Sequence, residues 1–186
     1  MPSTEAPEKI GAETLGRHQG GTFAGQLMKN HTYKTTVHWT GNSGMGTRNY
    51  TSYERSHTIS VQGKAVIKAS SDPAFRGDQT LYNPEELLVA SLSSCHMLWY
   101  LHLCSAAGII VLEYSDEATG IMEETDNGSG FFTGVTLHPA VVVSHQSMVE
   151  QANALHREAN NRCFVANSCN FPVYHRPTCR SEDGTF

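Results

Sequence analysis

The 186-residue chain is short of charge, and shorter of positive charge than of negative: 13 lysines and arginines face 18 aspartates and glutamates, for a formal net charge of −5. Such a surface offers no basic field to a phosphate backbone, so nucleic acid is not an expected partner. Long apolar runs are also missing. The most apolar stretch, Leu87–Leu103, follows two glutamates and is broken by Ser91, Ser93, Ser94, His96 and His102. A bilayer span needs about 20 predominantly apolar residues in a row, so a core helix is expected here and no membrane partner. The C-x2-C and H-x3-H spacings of structural zinc sites do not occur, so no metal or other cofactor is expected. The glycines of "GNSGMG" lack the Lys-Ser/Thr ending and following helix of a phosphate loop. Residues 1–25 are polar and Gly-rich, without the apolar core of a secretory signal. Five cysteines, an odd number without the spacing of a small disulfide framework, then point to reduced thiols and a cytoplasmic setting.

What is present fits one domain, long enough to bury a core without staples. The expected division is a flexible or loosely docked tail over 1–29, a domain over 30–178 and a polar C-terminal tail over 179–186. "HTYKTTVHWTG", "YTSYERSHTISV" and "KAVIKAS" alternate as strands do. "IIVLEYSDEATGIMEET" and "GFFTGVTLHPAVVVSH" give two or three more around the turn "DNGSG", and "FPVYH" gives a last one. "SMVEQANALHREANN" carries Met148, Ala152, Leu155 and Ala159 at helical spacing, and "RCFVANSC" reads as a short second helical piece. The class is α+β with an antiparallel sheet.

The central helix has clear punctuation. Asn83 is placed as N-cap, Pro84 at the first helical position and Glu86 for a capping box, while Gly108 stands where a left-handed C-cap belongs. The segment Pro84–Ala107 would extend about 36 Å as a helix. It is apolar on nearly every face and so must be covered all round. A monomer of this size can hardly enclose such a rod, and dimerisation across it is the simplest remedy.

Near the middle of that helix stands Cys95. A buried thiol is often only a small hydrophobe, whereas a reactive one needs a cation, a partner and access. Cys104 lies nine residues on, about 14 Å away in rise, too far for a disulfide on the same helix. Long-range pairing of Cys95 with Cys163 or Cys169 stays open. Cys179 sits in the charged segment "HRPTCRSEDGTF" and reads as a spectator.

"NPEELLVASLSSCHM", "CFVANSCNFPV" and the flanking "SSDPAFRGD" closely resemble the osmotically inducible protein C and organic hydroperoxide resistance family, over about His31 to Val173. The resemblance implies an OsmC-like fold in an intertwined homodimer. It also implies a thiol peroxidase that reduces organic, lipid-type hydroperoxides to alcohols. Cys95 would be the peroxidatic thiol and Cys163 the resolving one. Cys169 stands where the family more often has an apolar residue, which leaves it open as a resolving thiol. Glu85 matches the glutamate of the "NPE" motif, and the family's arginine falls nearest Arg55, with Arg48 and Arg76 as rivals.

The chemistry explains the residue types. Desolvation disfavours a thiolate, and an adjacent guanidinium restores it while donating to sulfur and to a peroxide oxygen. Glu85 would grip that arginine by a bidentate pair; as a bare helix N-terminal carboxylate it would equally suit the macrodipole. Glu85 and Cys95 are ten residues apart on one helix, about 15 Å in rise and about 280° in rotation. They do not share a face, so an arginine held by Glu85 is expected to serve Cys95 of the partner chain. No bound cofactor is expected; an external dithiol of lipoyl or thioredoxin type would restore the thiols. A non-catalytic small-molecule or lipid-binding protein, or a structural stress protein of the same fold, is the alternative.

Overall fold

The computed structural model describes residues 29–183. The expected N-terminal tail therefore lies almost wholly outside the described residues. Among those residues, all strands and helices fall in one unit beginning at Thr35.

That unit opens with a small antiparallel sheet, β1 (Thr36–Trp39), β2 (His57–Ser60) and β3 (Ile67–Ala69), in spatial order β1-β2-β3. The loop after β3 is tied back on itself. Asp72 caps the 3-10 turn Pro73–Phe75 by accepting from the Ala74 amide, and the Ser70 amide donates to Tyr82 O. Gly77 is required there, because a Cβ at that position would lie 1.6 Å from Ser71 O.

The loop delivers the chain to α1 (Pro84–Ala106), whose punctuation is as the sequence predicts. The Asn83 side chain accepts from the Glu86 amide, Glu86 accepts from the Asn83 amide, and Pro84 takes the first turn. Gly108 ends the helix at φ 71°, while the Ile109 amide reaches back to Cys104 O.

Four strands follow: β4 (Val111–Asp116), β5 (Thr119–Glu124), β6 (Gly130–Leu137) and β7 (Pro139–Val143). Then come α2 (Val149–Arg162), a 3-10 turn at Ala166–Ser168, β8 (Val173–His175) and β9 (Thr178–Ser181). Two three-stranded sheets result, ordered β4-β7-β9 and β5-β6-β8.

The architecture is α+β, with two corrections to the sequence-based expectations. The sheets are not wholly antiparallel, since β8 runs parallel to β6 and β9 parallel to β7. Parallel partners need a crossover, and α2 is the helix that supplies it. The segment 179–186 is not simply a tail: Cys179–Ser181 belong to β9, paired in register with Val141–Val143. As expected of a single chain, α1 is not buried all round. Leu92, His96, Tyr100 and Cys104 form a buried stripe at four-residue spacing, whereas Leu98 on another face is 64% exposed.

The stripe joins two core clusters. Leu92 packs with Val135 and Leu137 of β6, while Tyr100 and Cys104 pack with Val141 and Val143 of β7 and with Ala152 and Ala159 of α2. Fully burying each such Leu or Val contributes about 1.5–3 kcal/mol, which holds α1 firmly along this side.

Candidate active site

Two of the expected site residues meet. Cys95 is half-buried on α1 and Cys163 is buried where α2 ends, as its C-cap residue. The two thiols lie close enough for Cys95 to perturb Cys163. Cys163 sulfur accepts from the Ala166 amide at 3.4 Å. Burial, and after it the neighbouring Cys95, push the Cys163 thiol up to about 11. A thiol held there is mostly protonated at neutral pH, and the protonated form is the weaker nucleophile. One turn along α1 from Cys95, Trp99 meets the exposed Phe164 ring edge-to-face at 5.6 Å. The dithiol is thus flanked by aromatic surface.

Cys169 lies in the same turn, its thiol donating to Val165 O at 3.3 Å and its side chain packed against the Leu92 cluster. Burial raises the Cys104, Cys169 and Cys179 thiols as well.

Glu85 sits elsewhere. It lines an open groove of about 810 Å³ with Val89, Ser93, Met97, Asp116 and Phe132, and Cys95 is not among the lining residues. The helical rotation that separates Glu85 from Cys95 thus places them on different surfaces of α1. Glu85 Oε2 is buried without a hydrogen-bond partner. Among the described residues no salt bridge joins Glu85 to an arginine.

Arg55 is engaged within its own loop. Its guanidinium lies 4.2 Å from the ring centres of both Tyr50 and Tyr53 and donates to Tyr53 O and Tyr50 O at 2.6 and 2.9 Å. Arg76, one of its rivals, lies 6.0 Å from the same Tyr50 ring, and Arg48 is exposed. Within a single chain no arginine candidate is brought to Glu85.

The sequence-based expectations did not include a polar cluster behind the dithiol. His96, the neighbour of Cys95, and His156 of α2 are fully buried and joined at 3.0 Å, Nε2 to Nδ1. His175 of β8 stacks 5.7 Å from His96, and the Tyr100 ring stacks 3.9 Å from His156. Burial holds His96 down to about 4 and His156 down to about 3, so the pair is neutral at physiological pH. The signal was present as the four-residue stripe of α1, in which His96 occupies a core position between Leu92 and Tyr100. Asp116 was missed too; its carboxylate accepts from Ser93 Oγ and the His138 amide, both at 2.6 Å, and so ties α1 to β4 and the start of β7.

A half-buried helix thiol beside a buried second thiol is thus set in a fold of three small sheets and a long apolar helix. Residues 77–175 match the family of OsmC-like proteins. The chain belongs to that family. It is 31% identical to an OsmC-like protein of unknown function from Vibrio cholerae O1 biovar eltor, whose solved structure superposes with a TM-score of 0.72 over 80% of this chain and 99% of that one. An organic hydroperoxide resistance protein from Elizabethkingia anophelis shares 19% identity over 82% of this chain and 99% of its own, with a TM-score of 0.56. Another organic hydroperoxide resistance protein, from Legionella pneumophila, shares 18% identity over 81% and 98%, with a TM-score of 0.57. These last two share the fold. No curated protein matches the chain.

Proposed function

We propose that the chain is a cysteine-based peroxidase that reduces organic hydroperoxides to alcohols. The observation that carries this reading is the nearness of the half-buried Cys95 thiol to the buried Cys163 thiol, close enough that Cys95 helps to push Cys163 up. The Cys95 thiolate attacks the terminal peroxide oxygen; the O–O bond breaks, the alkoxide leaves and takes a proton as the alcohol, and Cys95 becomes a sulfenic acid. Cys163 sulfur then displaces hydroxide from that sulfur, its thiol proton completing a water molecule, and a disulfide forms before overoxidation can occur. An external dithiol of lipoyl or thioredoxin type reduces the disulfide by exchange and is itself oxidised. Reduced thiols suit a cytoplasmic protein. The aromatic flank of Trp99 and Phe164 suits an organic substrate better than hydrogen peroxide.

The remaining parts come from a second copy of the chain. An unpartnered, buried Glu85 oxygen facing an open groove calls for a cation. A two-fold homodimer across α1 would cover that groove and bring a Glu85–arginine pair, with Arg55 as the first candidate, to the partner's Cys95.

The test is a count of free thiols before and after one equivalent of an organic hydroperoxide. Loss of two thiols with a mapped Cys95–Cys163 bond is expected. A folded protein whose Cys95 stays reduced would instead be a small-molecule or lipid-binding member of the fold.

A further inference from the structure

Among the described residues, one side chain–side chain hydrogen bond joins α1 to α2, that between His96 and His156. On α2 the buried positions Ala152, His156, Ala159 and Cys163 recur at helical spacing, and on α1 the buried stripe is Leu92, His96, Tyr100 and Cys104. Small alanines flanking His156 let the helices approach closely. Seven residues separate His156 from Cys163, about 20° short of two full turns, so the thiol continues the face of α2 that carries the imidazole. His96 is the immediate neighbour of Cys95.

The pair is a poor choice for stability alone. Two neutral imidazoles sharing one N–H···N bond leave one further nitrogen each, and both His96 Nδ1 and His156 Nε2 are buried without a partner. Unmet buried polar atoms cost free energy that two leucines would not. What a directional bond adds is register: apolar side chains permit sliding and rotation of one helix on the other, and a single buried polar contact does not. His175 extends the grip, because β8 begins ten residues beyond Cys163 and its imidazole stacks on His96. Both ends of the segment carrying Cys163 are thereby fixed to the residue beside Cys95.

We infer that His96 and His156 are positioning residues for the Cys95–Cys163 pair, their hydrogen bond setting the helix register in which the two thiols meet. This rests on the dithiol reading above. Neither imidazole touches the reacting atoms.

The experiment measures the effective concentration of the dithiol in the full chain, by equilibration against oxidised and reduced dithiothreitol with mass mapping of the bond. The pair forms its disulfide as dithiothreitol is reduced, so no peroxidase turnover enters the result. The double variant His96→Leu, His156→Leu is expected to match or exceed wild-type stability and yet lose about tenfold or more in effective concentration. The variant His96→Gln, His156→Asn, whose amides reach near Nε2 and Nδ1, should recover to within about threefold of wild type. An unchanged effective concentration in the folded leucine variant would overturn the inference. Should that variant not fold, the imidazole 15N resonances of wild type decide: the shared hydrogen bond must persist in both dithiol and disulfide forms, and its loss on oxidation would refute a positioning role. A wild-type chain that forms no Cys95–Cys163 disulfide with either dithiothreitol or hydroperoxide sinks the functional reading instead.

Discussion

Cys95 is half-buried and Cys163 buried, and the proposed order of action, Cys95 first, follows that difference. Cys95→Ser should abolish peroxide consumption, whereas Cys163→Ser should allow one turnover and then accumulate oxidised Cys95, visible as an added oxygen by mass spectrometry. Cys104→Ser and Cys179→Ser should turn over like wild type, because Cys104 is buried in the core nine residues beyond Cys95 on α1 and Cys179 lies in β9. Disulfide formation in the Cys169→Ser chain decides whether Cys169 resolves: it is expected to be normal. The raised Cys163 thiol adds a kinetic signature. Closure of the disulfide after oxidation should accelerate with pH, about tenfold per unit below the Cys163 pKa, since the thiolate is the attacking form. A pH-independent closure would mean that deprotonation of Cys163 is not limiting.

The elements of the fold were legible where their signals are local. Asn83, Pro84, Glu86 and Gly108 each act within one helical turn, and all four perform the roles their types predict. Replacing Asn83 by alanine should cost about 1 kcal/mol in a denaturant titration. Strand β9 was not legible: "TCRS" is short and polar, and its partner β7 is more than thirty residues away in sequence. The histidine cluster was hidden for a different reason, that an imidazole interrupts an apolar pattern even when its position is a core one. Its burial has a pH consequence for the α1–α2 interface. The folded pKa of each histidine lies below the unfolded 6.5, so the unfolded chain binds more protons between those values. The stability from the neutral pair is complete above 6.5 and is lost as pH falls through 6.5 towards 4, at about 1.4 kcal/mol per pH unit for each histidine. Urea melts between pH 7.5 and 5 should show this slope. The His96→Gln, His156→Asn chain should show it flattened; equal slopes would assign the acid sensitivity to other groups.

For the whole molecule, Cys95 does not line the Glu85 groove, and the proposed dimer is what would join the two. A Glu85→Ala chain and a Cys95→Ser chain should each be inactive alone. After exchange at equal amounts, random pairing makes half the dimers mixed, each with one complete site, so about a quarter of wild-type activity should return. Full activity of Glu85→Ala by itself, or silence of verified mixed dimers, would rule out a shared site.

The crossover pairing of β8 and β9 bears on how such a chain is made. Each of these last strands completes a different sheet, β8 beside β6 and β9 beside β7, after α2 has intervened. Until β8 has left the ribosome β6 lacks a neighbour, and until β9 has followed β7 lacks one, so their backbone groups stand open along an edge. Contacts of such large sequence separation also slow the final search. The nascent chain therefore spends its synthesis with its most apolar strand, "PAVVV", half-covered.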